Sequence, residues 1–436
     1  ILPFMWEIFG YCILLFAFCM YCQQALYQSR PLQKHALSGF YVCIALGGFI
    51  GSFLVSWVIP MCSDGVVEFL VGLLLIATAM LFKQERLKLV FFQVRWIIYI
   101  LTVLFAWPMV YKSYNFFGML YLYIVFKFFY YALRNKPSLL AASIFAVTAA
   151  FPLLQPLWNS GKEIYTARNY YGVYRVSSSG TLVKFYNGTT LHGSQYLNKE
   201  DKKEPLTYYS RKSPVGLFLE SPQFPVRRMG VVGLGAGTLA AYGKKDQEID
   251  FFEIDPKVHE IAELCFTYLK DSAAKIRTIF GDARLSLRKM PQEYYDVIVL
   301  DAFSGDSVPV HLLTVEALRE YQQRLTKNGV LLFHTSNRYV DLAPVFFRNA
   351  QEVGALVSFK YDEKEDKYRL PSEWVAVTWD PDSHKTLVER LQWNDKLPKK
   401  KSGVQTLWTD RYSYLMGMFK WENFLGSIKA FKPFYW

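Results

Sequence analysis

Cysteine all but disappears after the first sixty-odd residues: Cys12, Cys19, Cys22, Cys43 and Cys62 come before that point and Cys265 alone comes after it. No metal-ligand spacing recurs among them, so no metal is expected. An apolar bundle needs no disulfide, and Cys19 with Cys22 lacks the partner residues of a redox pair. The six read as small buried apolar side chains. An arginine-rich tail, zinc-finger spacing and an RNA-recognition motif are also missing. The net charge of +12, from 49 Lys and Arg against 37 Asp and Glu, therefore does not point to nucleic acid. Much of the basic excess borders apolar segments, where Lys and Arg meet lipid headgroups. The chain also lacks the basic start and cleavage pattern of a secretory signal.

What the chain has in abundance is apolar and aromatic residues: 52 % of its 436 residues are hydrophobic, with 11 Trp, 30 Tyr and 35 Phe. Segments near 1–21, 38–61, 66–82, 90–110, 116–133 and 137–157 are each about long enough to cross ~30 Å of hydrocarbon. VVEFLVGLLLIATAMLF shows the type. Glu7, Glu68, Arg95 and Lys127 interrupt these runs, and an ionised group is costly in lipid, so they belong at interfaces or against protein partners. Residues 1–158 thus read as a helical transmembrane domain of about six helices. Arg30 and Lys34, then Lys83, Arg86 and Lys88, then Arg134 and Lys136 fall in alternating loops. Basic loops on the cytoplasmic side with six crossings would leave the C-terminal part outside. An odd number of crossings removes the conflict. The chain starts at Ile1, so either an upstream helix or one miscounted segment is expected.

Past Asn159 the pattern changes. GKEIYTARNYYGVYRVSSSGTLVKFYNGTTLHGSQYL alternates aromatic, β-branched and polar residues, with SSSG and YNG as turns, and predicts a small β domain over about 165–225. From Val226 onward, MGVVGL, EIDFFEI, KIRTIF, YDVIVLDA, GVLLFHTS and EWVAVTW read as strands. PKVHEIAELCFTYL and TVEALREYQQRL carry helical periodicity. Such alternation requires crossover connections, hence a largely parallel sheet with helices on both faces over 226–436. The expected fold is an α-helical transmembrane domain, a small β domain and an α/β Rossmann-like domain of the class I methyltransferase type.

Gly233, Gly235 and Gly237 lie where the first of these strands ends and TLAAYG can begin a helix. Glycines there permit a tight turn and close approach of a ligand to backbone. Glu253 ends the next strand, where a carboxylate can accept both ribose hydroxyls. Asp255 suits the cap of a helix starting at Pro256. Asp282 and Ala283, in GDA, end the third strand, and Asp282 either accepts an adenine amino group or forms a turn or cap. Asp301 emerges at the end of the fourth strand over the same cleft, with Asp306 in the following loop. Paired acids attract an ammonium substrate, and one of them can take its proton before attack. The bland alternative for them is an N-cap and a solvated loop. A dinucleotide is disfavoured because no second mononucleotide half follows.

From about Arg168 to Tyr412 the chain resembles the spermidine synthase family, in particular its branch with preceding membrane helices. RNYYGVYRV, NGTTLHGSQYL, PLTYY, GLGAG, FEIDP, GDAR, LDAFSGDSVPVHLLT, FHTSNRY and LWTDRY carry the resemblance, in order. It implies transfer of an aminopropyl group from decarboxylated S-adenosylmethionine to an amine, with release of methylthioadenosine. By the same resemblance Glu253 would hold ribose, Asp282 the base and Gln195 the thioether side. Asp301 would receive the attacking amine, with Tyr208 or Tyr209 beside it. Three departures fall on the acceptor half. PLTYYSRK does not reproduce the family's Tyr-His-Glu pattern. The usual Asp-x-x-Asp is stretched by two positions to Asp306. His334 stands where soluble synthases present a glutamine to the diamine.

Three functions follow: an aminopropyl or related 3-carbon transferase, an S-adenosylmethionine-dependent methyltransferase, and a noncatalytic membrane sensor of nucleosides or polyamines or a transporter accessory. The expected partners are an amine or polyamine acceptor and the lipid bilayer, with a homo-oligomer through the soluble domain as a possible assembly. The expected location is the inner or plasma membrane with the soluble domain in the cytoplasm, where the charged donor is made.

Overall fold

The computed structural model describes residues 22–64 and 162–420, apart from 189, 303–308, 338–339 and 397–406, with scattered positions in 12–20 and 68–75. The chain divides into two compact units, Ile1–Asn159 with Phe424–Lys432, and Ser160–Asn423 with Pro433–Trp436.

In the first unit, helix α1 (Lys34–Phe53) continues through a π-helical turn, Leu54–Val58, into Ile59–Cys62. Pro60 has no N–H to return to the preceding turn, which accounts for the irregularity. The whole helix of 29 residues is strongly apolar, and none of its residues is buried within the protein. At ~1.5 Å per residue it is about 43 Å long. By length and composition it is able to cross a membrane. It coincides with the expected segment 38–61. The other five segments lie wholly or mainly outside the described residues, as do Glu7, Arg95 and Lys127. The expectation of buried cysteines is corrected: Cys12, Cys19, Cys43 and Cys62 are exposed, while Cys22 and Cys265 are half-buried, all as free thiols.

The second unit begins with four antiparallel strands in sequential order, β1 (Lys162–Arg168), β2 (Val173–Ser179), β3 (Leu182–Asn187) and β4 (Thr190–Tyr196). Alternation puts Tyr174, Val176, Val183 and Phe185 inside. Seven further strands form the main sheet: β5 (Arg228–Val232), β6 (Glu248–Glu253), β7 (Lys275–Phe280), β8 (Tyr295–Leu300), β9 (Leu325–His334), β10 (Leu356–Asp362) and β11 (Ser372–Thr378). Their order is β10-β11-β9-β8-β5-β6-β7. Strands β7, β6, β5, β8 and β9 run parallel, while β11 lies antiparallel between β9 and β10.

Helices cover both faces. On one, Val231, Val297 and Leu332 join a buried cluster with Val215 from α2 (Pro214–Leu219), Ile261 from α3 (Pro256–Cys265) and Leu387 from the helix Pro381–Glu389. On the other, Ile298, Leu300 and Phe333 join Leu287, Leu318, Tyr321 and Phe346 from the helices Ala283–Arg288, Val315–Arg324 and Ala343–Glu352. Each fully buried Val, Leu or Phe contributes about 1.5–3 kcal/mol. One local expectation fails. TLAAYG forms only a 3₁₀ turn, Thr238–Tyr242, which Gly243 ends in extended conformation. The chain moves outward from β5 to β6 and β7, then returns to β8 and β9 on the other side. The switch point is therefore the crevice between the carboxyl ends of β5 and β8, where ligands bind in such sheets.

Candidate active site

A cavity of about 260 Å³ opens at that crevice. This is just under the ~300–1,000 Å³ of most small-molecule sites and has room for a ligand of nucleoside size. Gly233, Leu234 and Gly235 form its floor, Glu253, Asp255, Asp282 and Asp301 supply acid, and Tyr174, Phe185 and Tyr208 are among its aromatic walls.

The floor needs glycine. Gly233 has φ +91°, and a Cβ on it would stand 2.3 Å from the Asp301 carbonyl oxygen. Gly235 has φ +53°, and its Cβ would stand 2.7 Å from the His192 carbonyl oxygen. Those two contacts press the turn against the end of β8 on one side and against β4 on the other. Gly237 heads the 3₁₀ turn from a left-handed conformation and does not line the cavity.

Glu253 ends β6 with its carboxylate over the turn. Its Oε2 accepts from Leu234 N–H at 2.9 Å and its Oε1 from Asp255 N–H at 3.0 Å. Burial pushes its carboxyl above the ordinary range, against the opposing pull of these backbone N–H donors. Each oxygen keeps a lone pair for a ligand hydroxyl. Asp255 caps α3 through Lys257 N–H, as expected, and it also accepts from Asn169 Nδ2 at 2.8 and 2.7 Å and from the Tyr174 hydroxyl at 2.5 Å. It thereby ties the antiparallel sheet to the α/β sheet. Asp282 is also a cap, accepting from Leu285 N–H at 2.8 Å, while its Oδ2 lies 3.1 Å from His311 Nε2. Capping uses one oxygen and leaves the other facing the rim. Ala283 lines the cavity beside it.

Gln195 is not brought to the cavity. It is fully buried, donating to Lys202 O and Thr267 Oγ1 and accepting from Thr267 N–H, so its amide locks β4 to the segment after α3.

At the opposite end stands Asp301, positioned by its N–H bond to Val232 O at 2.9 Å. The Tyr209 hydroxyl donates to Oδ2, and His334 Nδ1 lies 2.8 Å from Oδ1. Of the two tyrosine candidates, Tyr209 meets the carboxylate. Tyr208 lines the same wall, and burial holds its hydroxyl well above its usual pKa, with the Asp301 charge adding to the effect. His334, expected to touch the acceptor, meets Asp301 and lines a small adjoining cavity with Ala302, Pro309 and Leu312. Its ring is stacked between Tyr208, 4.3 Å away, and Trp374, 4.8 Å away. The Asp301 and His334 side chains are only 6 % and 5 % exposed, so this pair is screened little by water. Asp306 lies outside the described residues.

Two contributors escape sequence reasoning. Trp374 reaches His334 because β11 inserts beside β9, pairing the two residues in register. Arg284, in GDAR, is buried and grips Asp410 of LWTDRY through two nitrogens, at 2.7 and 2.9 Å, along with Glu320. It also donates to His311 O at 2.9 Å, which fixes the rim opposite Asp282. Both motifs are visible in the sequence, yet nothing in their spacing pairs them. Among the described residues no cluster of His, Cys, Asp and Glu is arranged to hold a metal.

A family described as S-adenosyl-L-methionine-dependent methyltransferase matches residues 256–343. Over 160 residues the chain is 32 % identical to the polyamine aminopropyltransferase of Vibrio vulnificus (strain CMCP6), an alignment covering 35 % of this chain and 52 % of that protein. The chain thus spans about half the length of the curated relative it matches. Similar solved structures include a probable spermidine synthase from Corynebacterium glutamicum ATCC 13032, at 18 % identity and TM-score 0.43, covering 58 % of this chain and 98 % of that one. A spermidine synthase in complex with the transition-state analogue AdoDATO gives 17 % identity and TM-score 0.39, over 55 % and 83 %. The second unit combines a four-stranded antiparallel sheet with an α/β region built on a seven-stranded sheet. Its sequence is distantly homologous to the aminopropyltransferases.

Proposed function

We propose that this protein transfers an aminopropyl group from decarboxylated S-adenosylmethionine to an amine or polyamine acceptor, releasing methylthioadenosine. One observation carries the reading: Asp301 lines the same cavity as the glycine turn and Glu253, with its carboxylate held in place by Tyr209. A nucleoside seated over Gly233 and Gly235 would find Glu253 at its ribose and Asp282 at its base. Its sulfonium side would then face Asp301. The carboxylate attracts the acceptor ammonium, orients the nitrogen and takes its proton. Tyr208 and Phe185 offer aromatic faces that suit a base or a sulfonium cation. The distant homology to aminopropyltransferases supports the same chemistry. Incubating the purified protein with the decarboxylated donor and a pool of amines, then weighing the products, tests it. An acceptor heavier by one aminopropyl group is expected, and none from any amine would reject it.

Methyl transfer from S-adenosylmethionine is the second reading, favoured by the family match over 256–343. The same incubation with that donor separates the two, because a methyl group adds a different mass. We further place the apolar unit in the cell membrane with the α/β unit on the cytoplasmic side, where a charged nucleoside donor is available. Labelling or proteolysis of residues beyond Lys162 from outside intact cells would reject that placement.

A further inference from the structure

We propose that the connection between β10 and β11, residues 363–371, is a strap that holds Thr207 in a left-handed backbone conformation and so aims Tyr209 at Asp301. Among the described residues four non-glycine residues have positive φ, and three of them, Asp246, Glu293 and Gln392, are exposed and lie between elements. Thr207, with φ +65°, is buried and β-branched. A threonine left to itself avoids that region, because its Cβ crowds the following carbonyl oxygen. Such a conformation persists where the surroundings impose it, and residues held this way gather at functional sites.

The strap supplies those surroundings. Leu370 N–H donates to Thr207 O at 3.2 Å, within a parallel bridge between Thr207 and Arg369. Upstream on the same segment, Asp201 accepts from Lys367 Nζ at 3.0 Å and from the Tyr368 hydroxyl at 3.1 Å. Arg369 is itself held by Asp362, at the end of β10, and by Asp366 within the strap, at 3.6 and 3.5 Å. Residues 201–207 are thus gripped at both ends. The next two residues are the tyrosines of the site. The Tyr209 hydroxyl donates to Asp301 Oδ2, and Tyr208 packs against Tyr209 and His334, with ring centres 4.5 and 4.3 Å away. Rotation about φ of Thr207 swings the chain that follows, so the sign of this one angle decides where both rings point. The strap then runs into β11, which brings Trp374 against Tyr209, ring centres 6.2 Å apart. Neither Thr207 nor Leu370 lines the cavity. They are positioning residues, acting through Tyr209.

The effect on rate rests on the group-transfer reading of the site, whereas the aim of Tyr209 can be read without it. Leu370→Pro removes the N–H that holds the Thr207 carbonyl. Methylthioadenosine affinity, read by calorimetry, is expected to stay near parental, which controls for folding. The single-turnover transfer rate at saturating donor is expected to fall roughly 10-fold, as for a misplaced catalytic group. Adding Thr207→Gly should restore that rate to within about threefold, because glycine takes φ +65° without penalty. In a Tyr209→Phe background Leu370→Pro should cost little more than Tyr209→Phe alone, since the hydroxyl that carries its effect is already gone. Independently of turnover, the ring Cζ resonance of isotopically labelled Tyr209 should move in Leu370→Pro in the same direction as in Asp301→Asn, and return when Thr207→Gly is added. Asp201→Ala, which frees the other end of the strap, should move it the same way and less far; this variant decides alone if Leu370→Pro loses nucleoside affinity. Losses fully additive with Tyr209→Phe, no recovery with Thr207→Gly, or a Tyr209 resonance indifferent to the strap variants would each overturn the proposal. If the parent itself transfers no group to any amine, the transfer reading falls while the resonance still decides whether the strap sets Tyr209.

Discussion

At the glycine-turn end of the cavity Glu253 is held, and Asp282 capped, by backbone N–H groups, whereas at the Asp301 end the carboxylate is fixed by side chains from distant segments. Glu253 accepts from Leu234 and Asp255 N–H groups, and Asp282 accepts from Leu285 N–H. These bonds follow directly from strand ends and helix starts, so the geometry is set as soon as the sheet forms. Asp301 depends on Tyr209, 92 residues earlier, and His334, 33 residues later. Such an arrangement can be retuned by exchanging one side chain without disturbing the sheet. The departures from the synthase pattern, at Tyr208 and Tyr209 and at His334, all fall at this second end. The glycine-turn end is thus set largely by local backbone, and the Asp301 end by side chains that can be exchanged one at a time.

The sharpest way to break that contrast is Asp301→Asn. The amide keeps the shape but neither attracts an ammonium nor takes its proton. Turnover should fall by roughly 10²–10⁴-fold if the carboxylate is the general base. Affinity for methylthioadenosine should hold, because the glycine turn, Glu253 and Asp282 are untouched. Near-parental single-turnover rates would remove the mechanism while leaving the fold intact. A variant that also lost nucleoside affinity would show that the two ends are not separable.

Arg284→Met tests the rim of the glycine-turn end. The guanidinium is buried, while Asp410 and Glu320 keep 41 % and 20 % of their side chains exposed. Truncating one partner of a fully buried pair costs ~3–5 kcal/mol. Solvent at the two acids reduces that here, so a loss of about 2–3 kcal/mol in denaturant unfolding is expected. His311 would lose its backbone anchor, and nucleoside affinity should weaken while Asp301 chemistry at saturating donor changes little. Unchanged stability would mean the cluster contributes nothing net.

The same contrast explains what was legible in the sequence. KIRTIF became β7 without a shifted residue, and Asp255 became a cap, because apolar runs and cap chemistry are local. β10 escaped notice since LVSFKYD carries Lys360 and ends in Asp362; β11 pairs along its whole length. The helix Ala343–Glu352 was also missed, its apolar face being completed by Phe333 and Trp408 from elsewhere. TLAAYG has good helix formers, yet Gly243, in extended conformation, stops the turn before an α-helix is established. Gln195 looked available because nothing local reveals that Thr267, 72 residues on, occupies both ends of its amide.

Glu253→Gln probes the backbone-fixed end directly. Loss of a charge-assisted contact to ribose should weaken methylthioadenosine binding by about 1.5–3 kcal/mol. Asp301 is unaffected, so transfer at saturating donor should stay close to parental. Unchanged calorimetric affinity would remove the nucleoside from this position.

The smallest effect expected is a proton count. Burial raises the Glu253 carboxyl above its unfolded value, so the folded protein is penalised for ionising it. Its contribution to stability is therefore favourable at low pH relative to high pH, and it declines as pH rises from the unfolded carboxylate value through the raised folded value. Ribose hydroxyls donating to the carboxylate favour the charged form and pull the pKa back down. Binding should then release a fraction of a proton in the window between the unbound and bound pKa values, and none well above or well below it. Calorimetric titrations of methylthioadenosine in two buffers of different ionisation enthalpy measure that fraction at each pH. The release should vanish in Glu253→Gln and persist in Asp301→Asn, since only the first variant removes a group at the nucleoside end. Release that instead disappeared in Asp301→Asn would assign the titrating carboxylate to the other end of the cavity and reverse the division of labour between them.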